Sequence, residues 1–186
     1  MMHTYTKKQG WIEVLCGCMY SGKSEELIAR LRKAKIGKRK IQIFNSSLDT
    51  RYGEGQVSSH NKSNLQSVCV EKAEDILKLV DPGTQVVGID EGNFFDKGLV
   101  DVCEELAKQG KRVIVAGLDL DYMGKPFESM AMLLPKAEYL TKKLAVCNKC
   151  GSPACRTQRM VKSKTRILVG AAGMYEARCR KCFKPK

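Results

Sequence analysis

The chain has 186 residues, 43% of them hydrophobic, a mean hydropathy of −0.30 and a formal net charge of +13, enough for one ordinary core and a small satellite. No run of about 18 apolar residues occurs, and residues 1–8 lack the apolar stretch and cleavage site of a signal peptide, so membrane spanning and secretion are not expected. Nine cysteines, an odd number with four of them in two C-x-x-C pairs, fit a reducing cytoplasm better than a disulfide framework.

Along the chain, short apolar runs alternate with longer amphipathic ones, the pattern of βαβ units and a parallel sheet. Strands are expected at residues 12–16, 40–44, 67–70, 86–90 and 112–118, each rich in Val, Ile and Leu. Helices are expected at residues 25–36, with Leu27, Ile28 and Leu31 on one face, and 99–109, with Val102, Cys103 and Leu106 on one face. Residues 45–66 are polar and aperiodic and read as a long loop. The alternation stops between residues 135 and 144, which divides the chain into an α/β body at 1–141 and a cysteine-bearing piece at 142–186.

Residues Gly17, Cys18, Met19, Tyr20, Ser21, Gly22, Lys23 and Ser24 match G-x-x-x-x-G-K-[ST] between an expected strand and an expected helix. Such a loop turns its backbone N–H groups and a helix amino terminus onto phosphate, with Lys23 reaching the β- and γ-phosphates and Ser24 placed for Mg2+. Downstream, the apolar run 86–89 ends in Asp90 and Glu91, at the carboxyl edge where open α/β sheets bind ligands. An aspartate there addresses Mg2+, and the following glutamate is placed to take a proton from an attacking hydroxyl or water.

Cys147, Cys150, Cys179 and Cys182 form two knuckles with 28 residues between them, suited to a closed tetrahedral zinc site of structural type. Redox pairs or disulfides are the alternative. Residues 136–186 hold 14 basic and 2 acidic side chains, whereas residues 1–135 hold 19 and 18. This excess either offsets a four-thiolate zinc centre or forms a polyanion-binding patch.

Taken in order, these pieces resemble the zinc-containing, type II thymidine kinases over residues 11–183. The likeness is carried by Met19-Tyr20-Ser21-Gly22-Lys23-Ser24, Asp49-Thr50-Arg51-Tyr52, Asp90-Glu91-Gly92-Asn93-Phe94-Phe95, Gly117-Leu118-Asp119-Leu120-Asp121-Tyr122, Lys125-Pro126-Phe127, Arg156-Thr157-Gln158-Arg159 and Tyr175-Glu176-Ala177-Arg178-Cys179. Three positions depart from the family pattern: Cys18 where Pro is usual, Asn93 where Gln is usual and Glu128 where Gly commonly follows Pro-Phe.

The resemblance implies a P-loop, RecA-like parallel sheet covered by helices, with a C-terminal four-cysteine zinc ribbon. It implies transfer of the ATP γ-phosphoryl group to the 5'-hydroxyl of thymidine, with Mg2+ as the metal of the phosphate site. Glu91 would be the general base, Lys23 would neutralise phosphate charge, Ser24 and Asp90 would serve the metal, and Asp49 would organise the metal and hydroxyl end. Arg51 would steady the transferring group. Met19, Phe94, Leu118, Tyr122 and Phe127 would wall the thymine pocket. Residues 156–175 resemble the family's lasso, a zinc-anchored loop that closes over the base. Thr157, Val169, Gly170 and Tyr175 are its matched contacts, with Arg159 nearby. A cytoplasmic homotetramer and feedback inhibition by dTTP complete what the family implies.

A nucleic-acid-stimulated ATPase is the rival reading, favoured by the basic tail. The body is too short for two tandem motor cores, and neither Asp49-Thr50-Arg51 nor the lasso residues have a role in it, so nucleic acid is not expected as a partner. A zinc-ribbon interaction module with a vestigial nucleotide site conflicts with intact Lys23, Ser24, Asp90 and Glu91. Because the P-loop is assigned to the body and the cysteines to the tail, Cys150→Ser is expected to damage thymidine binding while ATP affinity survives better.

Overall fold

In the computed structural model, residues 9–48, 56–57, 65–163, 165–166, 168 and 173–185 are described. In chain order, β1 (Trp11–Gly17) leads through the P-loop to α1 (Lys23–Ile36), and β2 (Ile41–Ser46) follows. Two short strands, β3 (Gln56–Val57) and β4 (Leu65–Gln66), pair antiparallel within the stretch expected to be loop. Then come β5 (Val68–Val70), α2 (Ala73–Leu79), β6 (Val86–Asp90), a 3-10 turn at Gly92–Phe94, α3 (Gly98–Lys108), β7 (Arg112–Leu118), α4 (Glu128–Leu133) and β8 (Tyr139–Lys143).

The main sheet has the order β5-β2-β6-β7-β1-β8 with every pairing parallel, the doubly wound architecture expected of a P-loop body. Alternation along the strands builds two cores. Ile12, Val14, Phe44, Val87, Ile89, Val113 and Val115 face α2, α3 and α4, whereas Leu15, Ile43, Val86, Ile114 and Ala116 face α1. Helix α1 lies close enough that a Cβ on Gly88 would come within 2.7 Å of Leu31 Cδ1.

Three body elements were not legible as periodic segments. Helices α2 and α4 have 7 and 6 residues, too short to display a helical period. Strand β8 sits on the sheet edge beside β1 with Tyr139 and Leu140 exposed, so it lacks the apolar run of a central strand. It spans residues 139–143 and therefore crosses the expected junction at 141/142.

The tail is built from short antiparallel pairs: β9 (Ala145–Val146) with β10 (Pro153–Ala154), and β11 (Arg156–Arg159) with β12 (Tyr175–Arg178). The ends of the expected lasso are thus a paired hairpin stem, closed by the Met160 amide donating to the Met174 carbonyl at 2.9 Å. No helix among the described residues is long and apolar enough to cross a membrane.

Candidate active site

Parallel strands bring the P-loop after β1, Asp90 and Glu91 after β6, and Leu118 at the end of β7 to one edge of the sheet, with Gly17 in register with Leu118. The loop needs glycine at both ends. A Cβ on Gly17 would lie 2.3 Å from the Lys143 carbonyl oxygen of the neighbouring β8, and Gly22 has φ +76 at the mouth of α1. Ser21 Oγ and Lys23 Nζ both donate to the Cys18 carbonyl, at 2.8 and 2.9 Å, which ties the loop to itself. Burial pushes the Lys23 ammonium below its ordinary pKa, a shift opposed above all by the charge of Glu91.

Asp90 is 5% exposed. Burial, and then the adjacent Glu91 charge, push its carboxyl up to about 7, against the hydrogen bonds from Ser24 and from the Glu91 amide and against the Lys23 charge. The Glu91 amide donates to Asp90 Oδ1 at 2.9 Å. Glu91 itself holds φ 50, ψ 42, the left-handed conformation that a side chain with a Cβ rarely adopts. A cation bound between Ser24 and Asp90 would relieve the elevated Asp90 carboxyl, so these residues fit a magnesium ion.

Beside this edge lies a pocket of about 480 Å³, its open mouth included, lined by Met19, Glu91, Phe94, Leu118, Leu120, Asp121, Tyr122, Phe127, Thr157, Arg159, Arg166, Leu168 and Tyr175. Every expected thymine-pocket residue that is described is among them: Met19, Phe94, Leu118, Tyr122, Phe127, Thr157 and Tyr175. Asp49, Arg51, Val169 and Gly170 lie outside the described residues. Gly17, Cys18, Tyr20, Ser21, Gly22, Lys23 and Ser24 lie on the P-loop and the first turn of α1.

Four lining residues had no assigned role: Leu120, Asp121, Arg166 and Leu168. Asp121 is 4% exposed and makes a tight turn, its Oδ1 accepting the amides of Met123 and Lys125 at 2.9 Å each. The sequence signal was the Asp121-Tyr122-Met123-Gly124 run, a turn with its glycine at φ +78. Its other oxygen, Oδ2, accepts Arg166 Nε at 2.9 Å, while Arg166 also donates to the Pro126 carbonyl at 2.8 Å and lies over the Phe127 ring.

Arg159 organises the other side of the lasso. Its guanidinium lies 3.6 Å from the Tyr122 ring centroid and donates to the carbonyls of Ser163, Thr165 and Arg166 and to the Tyr175 hydroxyl. The Tyr175 hydroxyl donates in turn to the Leu168 carbonyl at 2.8 Å. Arginine thus fixes the main chain of the loop while its face closes the aromatic wall.

The Sγ atoms of Cys147, Cys150, Cys179 and Cys182 all lie within 4.8 Å of one another. Tetrahedral zinc with Zn–S bonds of about 2.3 Å separates its sulfurs by about 3.8 Å, so four thiols gathered this closely fit that ion. With all four positions taken by protein ligands, an ion held there would have no site for a reactive water, which fits a structural centre.

The family model described as "Thymidine kinase" matches residues 10–183. The thymidine kinase of Rhodothermus sp. (strain ITI 518) is 53% identical over 176 residues, spanning 95% of this chain and 82% of its own. That of Bdellovibrio bacteriovorus is 50% identical over 183 residues, spanning 98% of this chain and 90% of its own. Among solved structures, the Pif1 helicase of Candida albicans aligns with 71% of this chain and 36% of its own, at a TM-score of 0.45 and 14% identity, too distant to bear on function.

Proposed function

The chain belongs to the thymidine kinase family, and from that premise we propose which of its residues carry the transfer of the ATP γ-phosphoryl group to the 5'-hydroxyl of thymidine. The activity is an ATP-dependent phosphotransfer that gives dTMP in nucleoside salvage. Glu91 is the general base. Its carboxylate takes the hydroxyl proton as the 5'-oxygen attacks the γ-phosphorus, the bond to the β–γ bridging oxygen breaks, and ADP leaves. Lys23 and the P-loop amides neutralise charge on the phosphates. Ser24 and Asp90 would hold a magnesium ion, which would supply charge neutralisation to the nucleotide phosphates.

The single observation that carries this reading is the double membership of Glu91. It lines the apolar pocket with Phe94, Tyr122 and Phe127, and its charge also acts on the buried Lys23 of the P-loop. A base for this reaction must touch both substrates' compartments.

From the family resemblance, Asp49 organises the metal and hydroxyl end, Arg51 steadies the transferring phosphoryl group, and Val169 and Gly170 contact the base. The same resemblance supports feedback inhibition by dTTP, whose thymine suits the pocket and whose phosphates suit the loop, and a cytoplasmic homotetramer.

Release of ADP measured in parallel with thymidine, other deoxynucleosides and single-stranded DNA tests the assignment. Stimulation by thymidine is expected. Stimulation by DNA without any response to thymidine would replace it with the nucleic-acid-stimulated ATPase that the basic tail favours.

A further inference from the structure

Assigning the P-loop to one unit and the cysteines to another implies that loss of zinc spares ATP. The contacts between the two units bear on that expectation. Cys18, the second residue of the P-loop, is 1% exposed, yet its side chain belongs to neither core of the body. It packs with Ala145, Cys147, Ala154, Ala177 and Cys179, the small core of the zinc ribbon. Its thiol donates to the Ala154 carbonyl at 3.3 Å. The next residue, Met19, donates its amide to Thr157 Oγ1 at 3.0 Å, and Tyr20 donates its hydroxyl to the Tyr175 carbonyl at 3.1 Å.

Three consecutive P-loop residues therefore reach three different strands, β10, β11 and β12. Tyr20 holds φ 64, a backbone conformation that a tyrosine keeps only where its surroundings fix it. The outer turn of the phosphate loop is shaped against the ribbon.

The ribbon contacts lead directly to the metal site. Thr157 stands opposite Ala177 in the β11–β12 pair, and Ala177 is two residues from Cys179. The Asn148 amide donates to the Ala177 carbonyl at 2.9 Å, and Ala177 donates back to Asn148 Oδ1 at 3.1 Å, so the first knuckle grips the strand that leads into the second. Cys155 donates to the Arg178 carbonyl at 3.2 Å. Four thiolates on one ion would fix both knuckles and, through them, β11 against β12, and β11 carries the acceptor for the P-loop.

We propose that Thr157 is a positioning residue for the phosphate-binding loop and that, through it, zinc in the ribbon sets the affinity for ATP as well as for thymidine. This rests on the P-loop being the ATP site, a reading that the Lys23→Ala variant tests separately through loss of phosphate contact. In the Thr157→Val protein the shape of the side chain is kept while the half-buried Met19 amide loses its acceptor.

The decisive measurement is calorimetric titration of the full-length, zinc-loaded protein with magnesium ATP and, separately, thymidine, with zinc content determined on the same samples. Thr157→Val should lose about 5- to 10-fold in ATP affinity at unchanged zinc content, the loss typical of one hydrogen bond removed from a half-buried amide, and Thr157→Ser should restore it. Cys150→Ser should lower zinc content and weaken ATP binding at least as much. In the double variant the ATP losses should be less than multiplicative, because both act through one contact. Unchanged ATP affinity in Thr157→Val, failure of Thr157→Ser to restore it, or fully multiplicative losses in the double variant would each overturn the proposal. A fall in thymidine affinity alone would return Thr157 to the nucleoside pocket.

Discussion

Glu91 shows how one residue can be held against its own preference. A left-handed φ of 50 costs a residue with a Cβ about 1–2 kcal/mol. The conformation turns the chain sharply at the end of β6, so that one carboxylate stays with Ser24 while the next lines the pocket. Replacing Glu91 by Gly should therefore raise thermal stability by about 0.5–1 kcal/mol, the left-handed cost less the extra chain entropy of glycine, while abolishing phosphoryl transfer. Glu91→Gln keeps the shape and should lower kcat by about 100-fold or more with thymidine binding largely intact, since general base catalysis is commonly worth about 10² to 10⁴. Thermal unfolding and steady-state kinetics on the two variants separate strain from chemistry. A Gln variant with unchanged kcat would reassign Glu91 to structure.

Between elements, buried ion pairs act as fasteners. Glu13 of β1, 5% exposed, accepts Arg30 of α1 at 2.7 Å, Arg112 of β7 at 2.6 and 3.1 Å, and the Trp11 indole at 2.7 Å. Burial raises its pKa, but the hydrogen bonds from Arg112, Trp11 and Arg30 and the Arg112 charge outweigh it and hold the carboxyl below the ordinary 4.5. A lowered folded-state pKa contributes stability that is present above 4.5 and is lost as the pH falls through the folded value. Glu13→Gln should cost about 3 kcal/mol at neutral pH, the low end for a broken buried pair because both arginines are partly exposed, and should flatten this acid limb of the stability profile. Denaturant titrations at neutral pH and below 4.5 check both. A variant whose acid limb matches the parent would show that other carboxylates govern it.

The lasso is fastened differently. Asp121 and Arg166 join the loop to the turn after β7, so Asp121→Asn should raise the KM for thymidine about 5-fold and leave the KM for ATP within about 2-fold. Equal effects on both substrates would mean that the turn supports the whole edge of the sheet and not the loop alone.

For the molecule as a whole, the proposed homotetramer predicts a particle about four times the 20.8 kDa chain mass by light scattering with ATP and zinc present, and a particle at the chain mass would exclude it. The sequence by itself determined whatever depends on neighbours along the chain. The P-loop, Asp90 and Glu91 at a strand end, the paired knuckles and the amphipathic faces of α1 and α3 are patterns of adjacent residues, and local chemistry fixes their meaning. Motifs quoted for the resemblance likewise supplied the pocket walls. Only the tertiary structure decided that β8 joins the main sheet, because an exposed edge strand carries no apolar run, and that α2 and α4 are helices, because so few residues cannot express a period. It alone paired Asp121 with Arg166, 45 residues apart, and Met19 with Thr157, 138 apart, since a hydrogen bond between distant residues leaves no trace in the spacing of either. For the same reason the packing of Cys18 of the P-loop into the small core of the cysteine-bearing tail could be seen only in the tertiary structure.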